Sequence, residues 1–230
     1  MKRIFVLLLV VATLGATGWI FWNSSALELR RIEVSGNLHI PKEELAAVTG
    51  LSAGTRLLDI KTSDVARRVE TLPWVLDARV ERIIPSKLRI SVTERTPVAQ
   101  VALSGRNYFV DRQGVVLSEG SGLELAIGGL PLKTLTVGQQ ISLRQFREAL
   151  AVLDSLEESI RSRVDSMEAR SVDRITLNLN DGTTVLFGAA ERVGDKNYAL
   201  TAILAEAAKE GSKLASIDVR VPDRPAVRTA

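Results

Sequence analysis

The sequence predicts an α+β protein in three parts: a single N-terminal transmembrane helix, a small strand-helix-helix-strand-strand unit, and a larger mixed unit with a predominantly antiparallel sheet. Three observations carry that reading. Ile4 to Trp22 contains no charge and follows Lys2 and Arg3; strict two-residue alternation marks strands such as Lys87 to Thr93; apolar residues at three- and four-residue steps mark helices elsewhere.

As a helix the first run measures roughly 28 Å, close to the hydrocarbon thickness of about 30 Å. Trp19, Phe21 and Trp22 sit at its far end, where aromatic rings suit the headgroup region. The competing reading is a cleaved signal peptide, with Ser24-Ser25-Ala26 as the cut. A usual apolar core of about 7–15 residues is shorter and has no aromatic exit, which favours an uncleaved anchor. Lys2 and Arg3 favour the cytoplasm, so residues 1–3 form a cytoplasmic stub, 4–22 the span and 23–28 a linker, with the body outside. Arg30 and Arg31 weaken that charge asymmetry. The chain has no cysteine, which fits an oxidising compartment and removes disulfides and thiolate metal sites.

Lysine and arginine total 30 against 27 acidic residues, a balance without the basic footprint of a nucleic-acid binder. Few aromatics remain outside the apolar run, so base stacking and sugar platforms are poor expectations.

The first exported unit covers 29–97. Ile32 and Val34 alternate with Arg31, Glu33 and Ser35 before the Gly36-Asn37 turn, as a half-buried strand does. Pro41 suits the first turn of a short helix carrying Leu45 and Val48 and stopped by Gly50. A second helix, capped by Thr62 or Ser63, places Val65, Val69 and Leu72 inward before Pro73. Leu76, Ala78, Val80 and Arg82 form one face of a strand that turns at Pro85-Ser86. The next strand turns Leu88, Ile90 and Val92 inward. Three strands with one polar face each call for helices on the other.

The second unit covers 98–222, with 223–230 as a polar tail. Asn107 to Asp111 and Val115 to Leu117 flank a Gly114 turn; Asp111 and Gly114 also match a nucleotide-switch spacing, but no phosphate loop precedes them. Phe146, Ala149, Leu150, Leu153, Leu156 and Ile160 make an amphipathic helix from Ser142 to Ile160, read as core rather than as a grip for a partner helix. Ile175, Leu177 and Leu179 lead to an Asp181-Gly182 hairpin and on to Val185 and Phe187. A helix from Glu191 to Glu210 stops at Gly211. A last strand then places Ile217, Val219 and Val221 on one face and Ser216, Asp218 and Arg220 on the other, until Pro222.

The β-α-α-β-β order, the stretch Val80 to Ile90, the exit Glu94-Arg95-Thr96-Pro97-Val98-Ala99 and the ending Ser216 to Pro225 together resemble the FtsQ/DivIB cell-division family, with a POTRA domain at 29–97 and an FtsQ-type β-domain after it. The resemblance implies a non-enzymatic bitopic scaffold of the bacterial divisome in the inner membrane, body in the periplasm or outside, that links early and late division proteins and supports septal peptidoglycan synthesis. It implies FtsB and FtsL as partners, with the last strand receiving FtsB. On this chain that segment is Ser216, Ile217, Asp218, Val219, Arg220, Val221, Pro222 and Asp223, with Arg220 and Val221 as the foremost contacts. An uncovered strand edge accepts a further strand through its backbone groups. The same residues also read as a strand that closes the core, with Arg220 a solvated charge. Family members commonly carry a longer cytoplasmic tail than Met1 to Arg3.

No cofactor and no small-molecule substrate is expected. With no cysteine a Cys-His pair is impossible, and with the single histidine, His39, beside the Gly36-Asn37 turn a Ser-His-Asp triad would have to be built on that loop, although residue types alone leave a Ser-Lys dyad open. A second functional class is a POTRA-bearing factor in protein export or outer-membrane assembly. Such proteins tend to follow POTRA repeats with a membrane barrel.

Overall fold

The computed structural model describes residues 11–15, 25–123 and 125–230. Residues 11–15 are helical; the rest of the expected span, with the stub and the start of the linker, lies outside the described residues. Among the described residues no helix is long and apolar enough to cross a membrane. The chain divides into two compact units after Arg95.

In the first unit, a 3₁₀ turn at Ser25–Leu27 precedes β1 (Arg31–Ser35), α1 (Lys42–Val48), α2 (Thr62–Val69), β2 (Val75–Ile83) and β3 (Lys87–Glu94). The sheet order is β1-β3-β2, with β3 central, parallel to β1 and antiparallel to β2. Leu88, Ile90 and Val92 are buried with Leu45, Val65 and Val69 of the two helices, as the alternation requires. Two details differ from the sequence reading. Lys61, not Thr62 or Ser63, precedes the first turn of α2, and no side chain caps it. The register of β2 against β3 shifts between Val75 and Asp77, so Val75 turns inward and Leu76 is 46% exposed. A bulge inserts one residue and flips the pleat, which period-two counting does not register.

The second unit runs β4 (Pro97–Leu103), β5 (Arg106–Asp111), β6 (Val116–Glu119), β7 (Ala126–Gly128), α3 (Arg144–Ser155), α4 (Glu158–Arg161), β8 (Val164–Ser171), β9 (Arg174–Leu179), β10 (Thr184–Leu186), α5 (Val193–Glu210), β11 (Leu214–Asp218) and β12 (Ala226–Thr229). One nine-stranded sheet has the order β12-β11-β10-β9-β8-β7-β4-β5-β6. Its pairings are antiparallel except β4–β7, β7–β8 and β10–β11. A single apolar cluster joins Phe146, Leu150 and Leu153 of α3 and Leu200 and Leu204 of α5 to Met167, Leu177, Val185 and Ile217 of the strands.

The expected helix from Ser142 to Ile160 is two helices. Leu156 is extended at ψ 138°, and the side-chain amide of Asn197 donates to the Ser155 carbonyl at 2.7 Å. A carbonyl at a helix end needs a donor from outside its own ladder, and α5 supplies it. Both pieces still bury the same stripe, ending in Leu156 and Ile160. Asp111 makes a turn: its carboxylate accepts from the backbone of Gln113 at 2.9 Å and Val115 at 2.8 Å.

Candidate partner-binding edge

Residues 214–229 form the end of the sheet. β11 lies parallel to β10, with Val185 opposite Ile217 and Leu186 opposite Asp218. On its other side it pairs antiparallel with β12, Ile217 opposite Val227 and Ser216 opposite Arg228. The strand carrying Ser216, Ile217 and Asp218 is therefore internal, correcting the expectation that it is the last strand and the edge, and the polar tail after it forms a strand of its own. The edge belongs to β12, within that tail. Its four residues are exposed, and its outer side meets no other strand among the described residues.

The expected strand also ends early. Val219 is buried and its N–H donates to the Leu186 carbonyl at 3.1 Å, but Arg220 to Arg224 bend and turn. Val221, expected on the inner face, is 57% exposed. Arg220 folds back on Asp218, with Nη2–Oδ2 at 2.6 Å and Nε–Oδ1 at 3.0 Å, so its charge is met within the chain. That hydrogen bond holds the Asp218 carboxyl below its usual range and raises the Arg220 guanidinium. Pro222 is buried in the turn.

Asp223 fixes the reversal. Both of its oxygens accept from Arg192, at 2.7 and 2.8 Å, and the same guanidinium donates to Asp195 at 2.9 Å. Fork-to-fork pairing specifies geometry as well as charge. The hydrogen bonds to Arg192 hold Asp223 below the usual carboxylate range and raise Arg192. Arg192 sits at φ 49°, in the left-handed region, just before α5. Ala230 N–H to Lys213 O at 3.0 Å closes the far end of β12.

Two hollows lie on this end of the sheet, of which one borders the edge strand. Between α5 and the strands, Ile203, Ala207, Leu214 and Val227 line a small groove of about 250 Å³ with Glu206 and Glu210 on its rim. Thr176, Leu186, Arg174 and Arg220 line a more polar hollow of about 400 Å³ over β8, β9 and β10, separated from the edge by β11. A strand laid along β12 presents alternate side chains to the two faces of the sheet, one of them the face that carries the Val227 groove.

Sequence reasoning missed the groups that build the corner. Lys196 is buried, donates to the carbonyls of Phe187 at 2.9 Å and Ala189 at 2.8 Å, and lies 5.0 Å over the Phe187 ring. Burial pushes its ammonium below the ordinary lysine range. Lys196 and Asn197 occupied the apolar side of a helix whose pattern is weak; a buried lysine leaves no periodic signal of its own. His39 stacks on Trp74 at 4.2 Å and pairs with Glu94 through Nδ1 at 2.8 Å. Glu94 also accepts the backbone N–H groups of Leu38, His39 and Ile40, a turn-fixing role. Among the described residues no group of three His, Asp or Glu side chains is placed to hold a metal.

These features define a two-unit α+β protein whose most distinctive surface is an open strand edge. Residues 27–95 match the POTRA domain, FtsQ-type, and residues 99–220 match the FtsQ/DivIB C-terminal domain of cell-division proteins. The cell division protein FtsQ of Mycolicibacterium smegmatis is 33% identical over 93% of this chain and 61% of its own length. The FtsQ of Mycobacteroides abscessus is 32% identical over 98% of this chain and 69% of its own, and that of Streptomyces bingchenggensis 31% over 98% and 86%. The chain thus spans about three-fifths of the first relative's length. It belongs to the FtsQ/DivIB family of cell-division proteins.

Proposed function

We propose that this protein is a non-enzymatic, single-pass scaffold of the divisome, anchored by Ile4 to Trp22 with both folded units on the extracytoplasmic side, linking early to late division proteins and supporting septal peptidoglycan synthesis. FtsB, with FtsL, docks by adding a strand to the outer side of β12. Ser216 to Asp223 serve that contact as its inner strand and as the turn that presents it. The observation that carries the reading is the four-residue exposed edge at Ala226–Thr229, with an apolar groove on one face. Main-chain pairing supplies affinity there and alternate side chains supply selectivity.

Adjacent residues of an antiparallel strand point their N–H groups in opposite directions. Of Val227→Pro and Arg228→Pro, one therefore deletes a bond to β11 and the other deletes a donor offered to a partner. The outward substitution lowers capture of FtsB–FtsL by the full-length protein by roughly tenfold or more, about 1.4 kcal/mol, and leaves the melting temperature in place. Truncation after Arg224 abolishes capture. Retention of partner binding by both proline variants and by the truncation would overturn the edge assignment.

A further inference from the structure

The hairpin between β2 and β3 carries an isoleucine with no core to enter. Ile84 is 63% exposed at the tip, followed by Pro85. Beside it the chain arrives from the N-terminal side: the N–H groups of Arg30 and Arg31 both donate to the Ser86 carbonyl, at 2.8 and 3.4 Å, and Arg31 lies opposite Lys87 in the parallel pairing. Arg30 and Arg31 are exposed, and Arg89 follows two places along β3 on the same face. The acidic residues at this end include Glu28, Glu33 and Glu81; Glu81 lies opposite Arg89 across the hairpin, with Arg82 next to it, and Glu33 takes the Lys87 ammonium at 2.7 Å and lies 3.7 Å from Arg89. Arg56 and Asp59 stand 4.0 Å apart on the neighbouring loop. Cations outnumber carboxylates around one exposed aliphatic side chain.

Covalent geometry limits where this rim can be. Residues 23–29 join the apolar run to Arg30, and at about 3.3–3.6 Å each they reach at most ~25 Å. The 3₁₀ turn at Ser25–Leu27 shortens that reach, since it rises only about 2.0 Å per residue. Leu27 and Leu29 are buried, so the chain is seated on the unit as soon as it arrives. If the apolar run spans the bilayer, the Ile84 rim is held near the headgroups by its own tether, at high effective concentration.

We infer that the Arg30–Arg31–Ile84–Lys87 rim of the first unit rests on the outer surface of the bilayer that anchors the chain, its cations on anionic lipid phosphates and Ile84 in the interface. This inference depends on the anchor reading above. Basic side chains beside an apolar residue suit an anionic interface, where long aliphatic stems lie in the apolar zone and the charged heads reach phosphate. The contact sets the height and tilt of the first unit over the membrane.

The absence of cysteine allows single-site labelling. The full-length chain carrying Ile84→Cys, tagged with an environment-sensitive fluorophore, is placed in phosphatidylcholine nanodiscs with or without phosphatidylglycerol. Leu38→Cys is the control, being 86% exposed and beyond the opposite end of β1. With phosphatidylglycerol the label at 84 shifts to the blue and becomes protected from iodide, while the label at 38 does not. Arg30→Gln, Arg31→Gln and Lys87→Gln together remove the protection without moving the melting temperature, and high salt weakens it. Equal quenching at 84 and 38 in a carbonate-resistant chain overturns the rim contact and spares the anchor. Release of the chain by carbonate defeats the anchor and the rim with it. Equal protection in phosphatidylcholine alone overturns the anionic-lipid assignment, and protection appearing only when other division proteins are added overturns it in favour of a protein.

Discussion

Arg192 and Asp223 decide where the last strand goes. Without their two hydrogen bonds, at 2.7 and 2.8 Å, the turn after β11 is held by contacts local in sequence, the Arg220–Asp218 pair and the Arg224–Val221 backbone bond, and by the buried Pro222. β12 itself buries no side chain, so its position depends on backbone pairing and on that turn. The pairs have a pH signature. Asp218 and Asp223 are both held below their ordinary value of 3.8 by arginine hydrogen bonds. A carboxylate whose folded value is depressed contributes stability that is present above the unfolded value and lost as pH falls through the folded one. The amide resonances of residues 226–229 should therefore hold steady from about pH 7 to about pH 5 and move toward random-coil positions only below about pH 4. Asp223→Asn should show part of that displacement already at neutral pH. Steady resonances in the acid wild type, or an Asn variant with unchanged β12 signals, would show that the ion pair does not hold the strand.

At the level of elements, the left-handed glycines differ in what surrounds them. Gly36, at φ +83°, ends β1; a Cβ built there falls 2.1 Å from the Val92 carbonyl oxygen of β3. Gly182, at φ +87°, turns β9 into β10 with nothing within 4 Å. Gly182→Ala should cost about 1–2 kcal/mol, the left-handed backbone alone. Gly36→Ala adds a backbone collision that no rotamer relieves, and should exceed 3 kcal/mol, roughly the scale reserved for core disruption. Denaturant melts of the two full-length variants compare them directly, and equal costs would mean that β1 and β3 separate easily. The same contrast explains what the sequence makes legible. Lys87 to Thr93 could be read because every second residue enters one core, and the Asp181-Gly182 turn because its chemistry is local. β8 could not: its buried residues Val164, Met167 and Ala169 are thrown out of step by register shifts against β9, and Asp165, Glu168 and Arg170 lie among them. The break at Leu156 comes from an amide on α5, some forty residues on. The edge was misplaced because Ile217 and Val219 alternate equally well in an inner or an outer strand; only the Arg192–Asp223 reversal, a contact distant in sequence, decides between them.

For the molecule as a whole, the order of its parts makes location the property on which the proposed partner capture and the proposed lipid contact both depend. The run Ile4 to Trp22 leads into a unit whose first buried side chains, among the described residues, are Leu27 and Leu29. Lys2 and Arg3 before the run bias it toward an inward N-terminus, by the excess of basic residues on cytoplasmic flanks. On the proposed topology Arg30 and Arg31 oppose that bias from the other side, and the proposed rim contact gives them an anionic surface on which to rest. A periplasm-dependent reporter fused after Ala230 should accordingly be active and a cytoplasm-dependent one silent. The mature protein should keep its first residues, and its membrane association should survive carbonate. Replacing Lys2 and Arg3 by Glu should reduce the active fraction of the outward reporter, whereas the same change at Arg30 and Arg31 should leave orientation intact and release only the position-84 label. A mature N-terminus at Ala26 or Leu27 would instead mean that the run is an export signal, and the sheet edge would then have to recruit its partners from a chain free of the membrane.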